Sequence, residues 1–365
     1  MLRNMAAIVS RLFLKSIAKT QSNNDGTSNA YAYVTNQGSN SISQYIISAH
    51  GKLSPMATAK IATGTTPVCI AVSPSGKHAY VANQGGNSIS QYKINENGDL
   101  DAIAAPVAAG TSPVEIAIAP SGSYAYVANS SSNDVSQYLI DDNGMLTAMS
   151  PATIETGMIP VAITVDPSGE YVYVVNSSSN NISQYAITEN GTLAAMNPAT
   201  IMAGTAPRSI AIDPSGKHVY VINRTGGNIS QYAISPDGSL TPISTAVAAG
   251  KHPIFIRIAP SGKYAYVVNQ NSNSISQYTL AENGSLVPMM PATVASLVTP
   301  VCIAVTRSGK YAYVTNIGSN DVSQYAIGEQ GGLMAIQLNA WGDIAILAET
   351  SPRCVMTVDM KSSAV

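Results

Sequence analysis

Charge is scarce in this sequence. Of 365 residues only 10% are Asp, Glu, Lys or Arg, the formal net charge is −2 and the pI is about 6.1. No broad electrostatic field is available to attract a polyanion, which excludes nucleic acid and anionic lipid as the main partner. Cysteine is scarce too. Cys69, Cys302 and Cys354 form no CxxC pair and are odd in number, so neither a zinc site nor a complete disulfide framework follows, and buried thiols are expected. No apolar run reaches the roughly 18 residues of a membrane-spanning helix, so no integral membrane segment is expected. The G-x-S-x-G, H-E-x-x-H and P-loop signatures are missing. The acidic turn "DDNG" at 141–144 recurs as "NENG", "TENG" and "AENG", which marks a turn rather than a calcium loop. No metal and no cofactor are expected.

The sequence is rich in repetition. Aligned on "YVxN", asparagines stand at 36, 83, 129, 176, 223, 269 and 316, separated by 46 or 47 residues. A length prior would divide 365 residues into two domains, but an internal period overrides it. All 19 tyrosines fall inside the repeat, so most are packing residues. Each unit reads as four strands. A short apolar run after proline, as in "PVCIAVSPSG", ends at a Pro-Ser-Gly turn. A second strand such as "KHAYVAN" follows, then a polar loop, then "ISQYKI". An Asn-Gly or Asp-Gly pair makes a tight hairpin, because both central residues of a type I′ turn need positive φ. The fourth strand opens on a leucine such as Leu100 or Leu193. Four-stranded antiparallel units at this period predict a β-propeller.

The chain ends complete the count. The first unit lacks its innermost strand, and "TSPRCVMTVD" at 350–359 matches "TAPRSIAID" at 205–213. A C-terminal strand that closes the ring removes two exposed sheet edges. The prediction is an all-β, seven-bladed β-propeller over 31–359, after a leader at 1–30 and before a tail at 360–365. Residues 1–24 carry Arg3, Arg11, Lys15 and Lys19 with no acid, and apolar residues at helical spacing. A targeting segment, a membrane-surface helix and a disordered leader all fit, although Arg11 and Lys15 interrupt a secretory apolar core. The uncharged polar surface favours a periplasmic or secreted location over the cytoplasm. The interval from Pro300 to Pro352 is 52 residues and holds the single Trp341, as a longer outer strand or closing loop would.

Seven copies permit an internal comparison. Two residues after the repeat proline stand Cys69, Glu115, Ala162, Ser209, Phe255, Cys302 and Cys354; four after it stand Ala71, Ala117, Thr164, Ala211, Arg257, Ala304 and Met356. The cations Arg208, Arg224, Lys251, His252 and Arg257 all come from blades 5 and 6, with Glu115 of blade 3 nearly opposite Arg257. Placed together at one channel mouth, they suggest a pocket for a carboxylate or phosphate. The alternative is a self-neutralising Glu115–Arg257 pair in the channel with the remaining charges on solvated loops.

"SIAIDPSGKHVYVIN" together with "ISQYAI" and "DGSL" resembles the seven-bladed lactonase family, which includes 6-phosphogluconolactonase, and the broader YVTN-repeat propellers. The resemblance runs over 31–359. It implies a "G-P-R-H" motif opening an innermost strand and a "V-N-E" motif closing the next, whose Arg, His and Glu bind and activate a lactone. Arg208 matches the arginine, while Ser209 stands in place of the histidine and Arg224 in place of the glutamate. Lactone opening needs an acid or base near neutral pKa, and Glu115 and His252 are the local substitutes. The leading expectation is a binding or interaction module. Arg208, Ser209, Arg224, Lys251 and Arg257 would hold a small anionic ligand or a partner's acidic side chain. The alternatives are a sugar lactonase with a rearranged site, in which Glu115 or His252 moves the proton, and a structural surface scaffold.

Overall fold

The computed structural model describes residues 30–336, 345–347 and 350–359. The leader, the tail and Trp341 lie outside the described residues. Among the described residues, which form no helix, seven antiparallel sheets stand around an axis. Blades 2 to 7 begin with innermost strands at Pro67–Val72, Pro113–Ile118, Pro160–Val165, Pro207–Ile212, Pro253–Ile258 and Pro300–Val305. Blade 1 takes its innermost strand, Pro352–Asp359, from the far end of the chain. That strand pairs with Ala30–Asn36 in the register Tyr33 to Met356 and Val34 to Val355. In blades 2 to 7 the order along the sheet follows the chain, so every connection within a blade is a hairpin. In blades 5 and 7 the outer strand is broken into two short pieces.

Innermost and second strands are buried almost throughout, because each sheet is covered on both faces by its neighbours. Leu, Ile and Val alone do not set the spacing of the blades; polar residues of the repeat do. In all seven copies the tyrosine of "YVxN" donates its hydroxyl to the carbonyl of the hairpin glycine of the following blade, at 2.5 to 2.8 Å. The Oε1 of the "SQY" glutamine accepts the N–H of the leucine that opens the outer strand of the following blade, at 2.6 to 2.9 Å, again in all seven. The "VxN" asparagine donates to the serine of "SQY" within its own blade, as Asn176 does to Ser183 at 2.8 Å. Left unsatisfied, each such buried group would cost about 1–3 kcal/mol, which is why uncharged polar residues recur here at fixed positions.

A further staple links the loops of the channel face. The residue before each repeat proline (Thr66, Ser112, Ile159, Ala206, His252, Thr299, Ser351) has a positive φ between 50° and 58°. In six of the seven, its N–H donates at 2.7 to 2.9 Å to the side chain of a loop asparagine of the preceding blade: Asn40, Asn87, Asn133, Asn180, Asn273 or Asn320.

Candidate active site at the channel mouth

The innermost strands line the axis, and their two ends open on opposite faces of the ring. Between the ends lies a waist formed by the side chains two residues after each proline. Cys69, Glu115, Ala162, Ser209, Phe255, Cys302 and Cys354 are all at most 2% exposed, so the waist is closed to solvent. Several of these side chains bond to the neighbouring strand: Glu115 accepts the Ile163 N–H at 2.9 Å, Ser209 the Ile256 N–H at 3.2 Å, and the Cys354 sulfur the Ile70 N–H at 3.2 Å. Burial pushes the Cys302 thiol up to about 12, in keeping with the buried thiols expected. Ser209 and Glu115 are therefore inter-blade contacts at the waist, behind the mouth. The proposed Glu115–Arg257 pair is not among the ion pairs of the described residues, although the Glu115 carboxylate does exert a favourable charge effect on Arg257.

The five basic residues do not share one mouth. Arg208, Arg224, Lys251 and His252 lie where the innermost strands begin. Arg257 lines a cavity at the other end with the Pro-Ser-Gly turns. It is four residues beyond Pro253 along the strand Pro253–Ile258, roughly 13 Å at 3.3 Å per residue. Residues four after the proline leave the waist on the far side, and the strand's length decides this more than its alternation.

At the mouth, Arg208 is buried as the second residue of the innermost strand of blade 5. Burial, then the charges of Arg224 and of Arg353, pushes its guanidinium down to about 9, opposed by Glu115. Arg353 of the closing strand holds the same position in blade 1; burial pushes it down to about 10, and its Nε donates to Gln37. Arg224 reaches Gln270 Oε1 through a long 3.4 Å contact, and its buried Nε has no partner among the described residues. The charges of Arg224 and Arg353 thus bear on Arg208, and among the described residues no carboxylate forms an ion pair with any of the three.

Beside them is a surface pocket of about 510 Å³, lined by residues that include Arg224, Thr225, Gly227, Lys251, His252 and Asn271. It sits at the one junction without the loop staple. Blade 5 has Gly227 where the other six have asparagine. Gly227 keeps the positive φ of 64°, and a Cβ built there meets nothing within 4 Å. The missing side chain leaves room, and His252 loses the contact that its six counterparts make. Its imidazole is exposed and free to face a ligand, while its backbone conformation is that of every copy. Arg224, Lys251 and His252, singled out in the sequence, line this pocket together, while Gly227 and Arg353 were not singled out. Both were visible as departures or matches within the repeat: "RTGGN" against "QGGNS" and "SSSNN", and "TSPR" against "TAPR".

Comparison with known proteins agrees on the architecture. A family model described as Lactonase, 7-bladed beta-propeller matches residues 22–159, 147–255 and 256–344. Among solved structures, a candidate 6-phosphogluconolactonase of Bacteroides fragilis is 20% identical, with 91% of this chain and 98% of that one covered and a TM-score of 0.78. A second candidate 6-phosphogluconolactonase, from Bacteroides uniformis, is 21% identical over 90% of this chain and 99% of its own, with a TM-score of 0.78. The periplasmic gluconolactonase of Pseudomonas aeruginosa is 17% identical over 91% and 99%, with a TM-score of 0.77. No curated protein matches by sequence. With seven closed blades and a family match over most of its length, the chain belongs to the seven-bladed β-propeller Lactonase family.

Proposed function

We propose that the mouth between blades 5 and 6 binds a small anionic sugar lactone and that the chain hydrolyses it to the hydroxy acid. The observation that carries this is the gathering of cations at one end of the channel: Arg208 and Arg353, buried at matching positions of two innermost strands, beside an open pocket that Arg224 and Lys251 line. Family membership supports the lactone as the substrate class, and the excess of cations supports a carboxylate or phosphate on it.

In this reading Arg224 and Lys251 hold the anionic group, and Arg208 with Arg353 stabilises the oxyanion formed when water adds to the lactone carbonyl. The carbonyl carbon gains a C–O bond to water, the ring C–O bond breaks, and the proton lost by water returns to the departing ring oxygen. His252 is the group placed to carry that proton, because it lines the same pocket as Arg224 and Lys251. Glu115 is fully buried and bonded to Ile163, so its part is electrostatic, steadying Arg208 from the waist. A second reading, binding without turnover, is favoured by Ser209 and Arg224 standing where the resemblance expects histidine and glutamate.

The test is hydrolysis of 6-phosphogluconolactone and of uncharged aldonolactones against the buffer rate. Saturable turnover that His252→Gln lowers in kcat, and that Arg224→Met lowers by raising KM, supports hydrolysis. A rate equal to buffer overturns it. In that case, a saturable rise in melting temperature with 6-phosphogluconate supports the second reading, and no rise removes both.

A further inference from the structure

The far end of the channel holds a second cavity that the mouth does not explain. Beyond the waist, the ends of the innermost strands, the Pro-Ser-Gly turns of blades 2 to 6 and the Arg-Ser-Gly turn of blade 7 border a cavity of about 370 Å³, within the roughly 300–1,000 Å³ typical of small-molecule sites. Its wall is apolar, formed by residues such as Ala71, Ile116, Ala117, Val165 and Ala211 and by a ring of turn prolines. Small residues four after the proline leave the space; Arg257 is the one charged side chain in that series.

Arg257 is 9% exposed, and its Nη2 is shut from solvent with no hydrogen-bond partner among the described residues. Arg307, on the turn of blade 7, lines the same cavity, and its buried Nη1 is likewise without a partner there. One acid, Asp213, is part of the wall, but its carboxylate is occupied. It accepts from Ser215 Oγ at 2.7 Å, from the Lys217 and His218 N–H groups at 2.9 and 3.1 Å, and faces His218 Nδ1 at 3.1 Å. Glu115 acts on Arg257 only through its charge, from the waist. Two arginines thus border a largely apolar chamber, each with a buried nitrogen that has no hydrogen-bond partner among the described residues, and leaving such donors unmatched is unfavourable.

We propose that this cavity is a second ligand site, independent of the mouth, for a small carboxylate with a compact apolar body, its carboxylate on Arg257 and Arg307 and its hydrocarbon part against the alanine, isoleucine and proline wall. The closed waist keeps the two sites separate, so this site does not depend on lactone binding or turnover at the mouth. An aromatic acid the size of benzoate fits both the charge and the wall.

The experiment is calorimetric titration of the full chain with benzoate, together with crystals of the unaltered protein grown with para-bromobenzoate. Saturable binding is expected, weakened on the order of tenfold or more by Arg257→Met. Ala211→Leu, which fills the wall and leaves both arginines in place, is expected to abolish it. Arg208→Met at the mouth is expected to leave the affinity within about twofold, since the sites share no residue. Anomalous density for bromine should appear beside Arg257, a result that needs no variant to fold. Absence of saturable binding, binding that survives both Arg257→Met and Ala211→Leu, or bromine density confined to the Arg208 end would each overturn the proposal.

Discussion

Six junctions between blades are alike and one is not. At six, a loop asparagine caps the N–H before the next repeat proline and fills the crevice between the blades. At the junction of blades 5 and 6, Gly227 takes its place, the crevice is open, and Arg224, Lys251 and His252 surround it. In a structure built from near copies, the cap that every other junction keeps is a stabilising contact, and it is lost at the junction that also concentrates cations, the one proposed above to bind.

The largest effect expected comes from the feature that all junctions share. Ending the chain after Ser351 removes the innermost strand of blade 1, exposing two sheet edges and the core around Tyr33, Val34 and Met356. Cooperative thermal unfolding should be lost, and a calorimetric scan with a normal sharp transition would show that the ring does not need its C-terminal strand. Next, Gln137→Ala leaves the buried Leu193 N–H without its acceptor, which should cost about 2–3 kcal/mol. Denaturant titration measures that cost, and ligand affinity at the mouth should not change, since the site lies elsewhere.

Substitutions at the unusual junction should move stability and binding in opposite directions. Arg208→Met is expected to stabilise the fold by on the order of 1–3 kcal/mol, because it removes a buried cation with no paired carboxylate, while weakening 6-phosphogluconate binding at least about tenfold. The pH dependence follows from the sign of the shift. Burial lowers the Arg208 guanidinium to about 9 in the folded protein from an ordinary 12.5, so the unfolded chain holds more protons above that value and stability rises with pH there. The gap in stability between the variant and the parent should therefore narrow from about pH 8 to pH 10. The buried tyrosines, whose hydroxyls burial pushes up, are common to both proteins and cancel in the difference. A constant gap would mean that Arg208 is not desolvated. The smallest effect is Gly227→Asn. The φ of 64° suits asparagine, and the restored acceptor for the His252 N–H should add about 1 kcal/mol while closing the pocket to ligand. Unchanged affinity in that variant would detach the pocket from the binding site.

The seven-blade ring and its closure were legible because each rests on local rules: Asn-Gly turns, alternating apolar strands and a period that counts units. The division of the cations was not. Arg257 follows Lys251 and His252 closely in the chain, yet the strand Pro253–Ile258 carries it past a waist that no sequence pattern announces. Ser209 and Glu115 looked like mouth residues by position, but each spends its oxygen on the backbone of the next blade.

The amino-acid sequence alone determined the number of blades, the strand order within each and the closing strand, because these follow from short-range turn chemistry repeated at one period. The tertiary structure alone decided that the channel is closed at its middle, that the arginines fall into two separate ends, and that one missing asparagine opens a pocket. Those facts depend on side chains from blades far apart in the chain meeting around one axis, where burial and distance, rather than residue type, determine which charges act together.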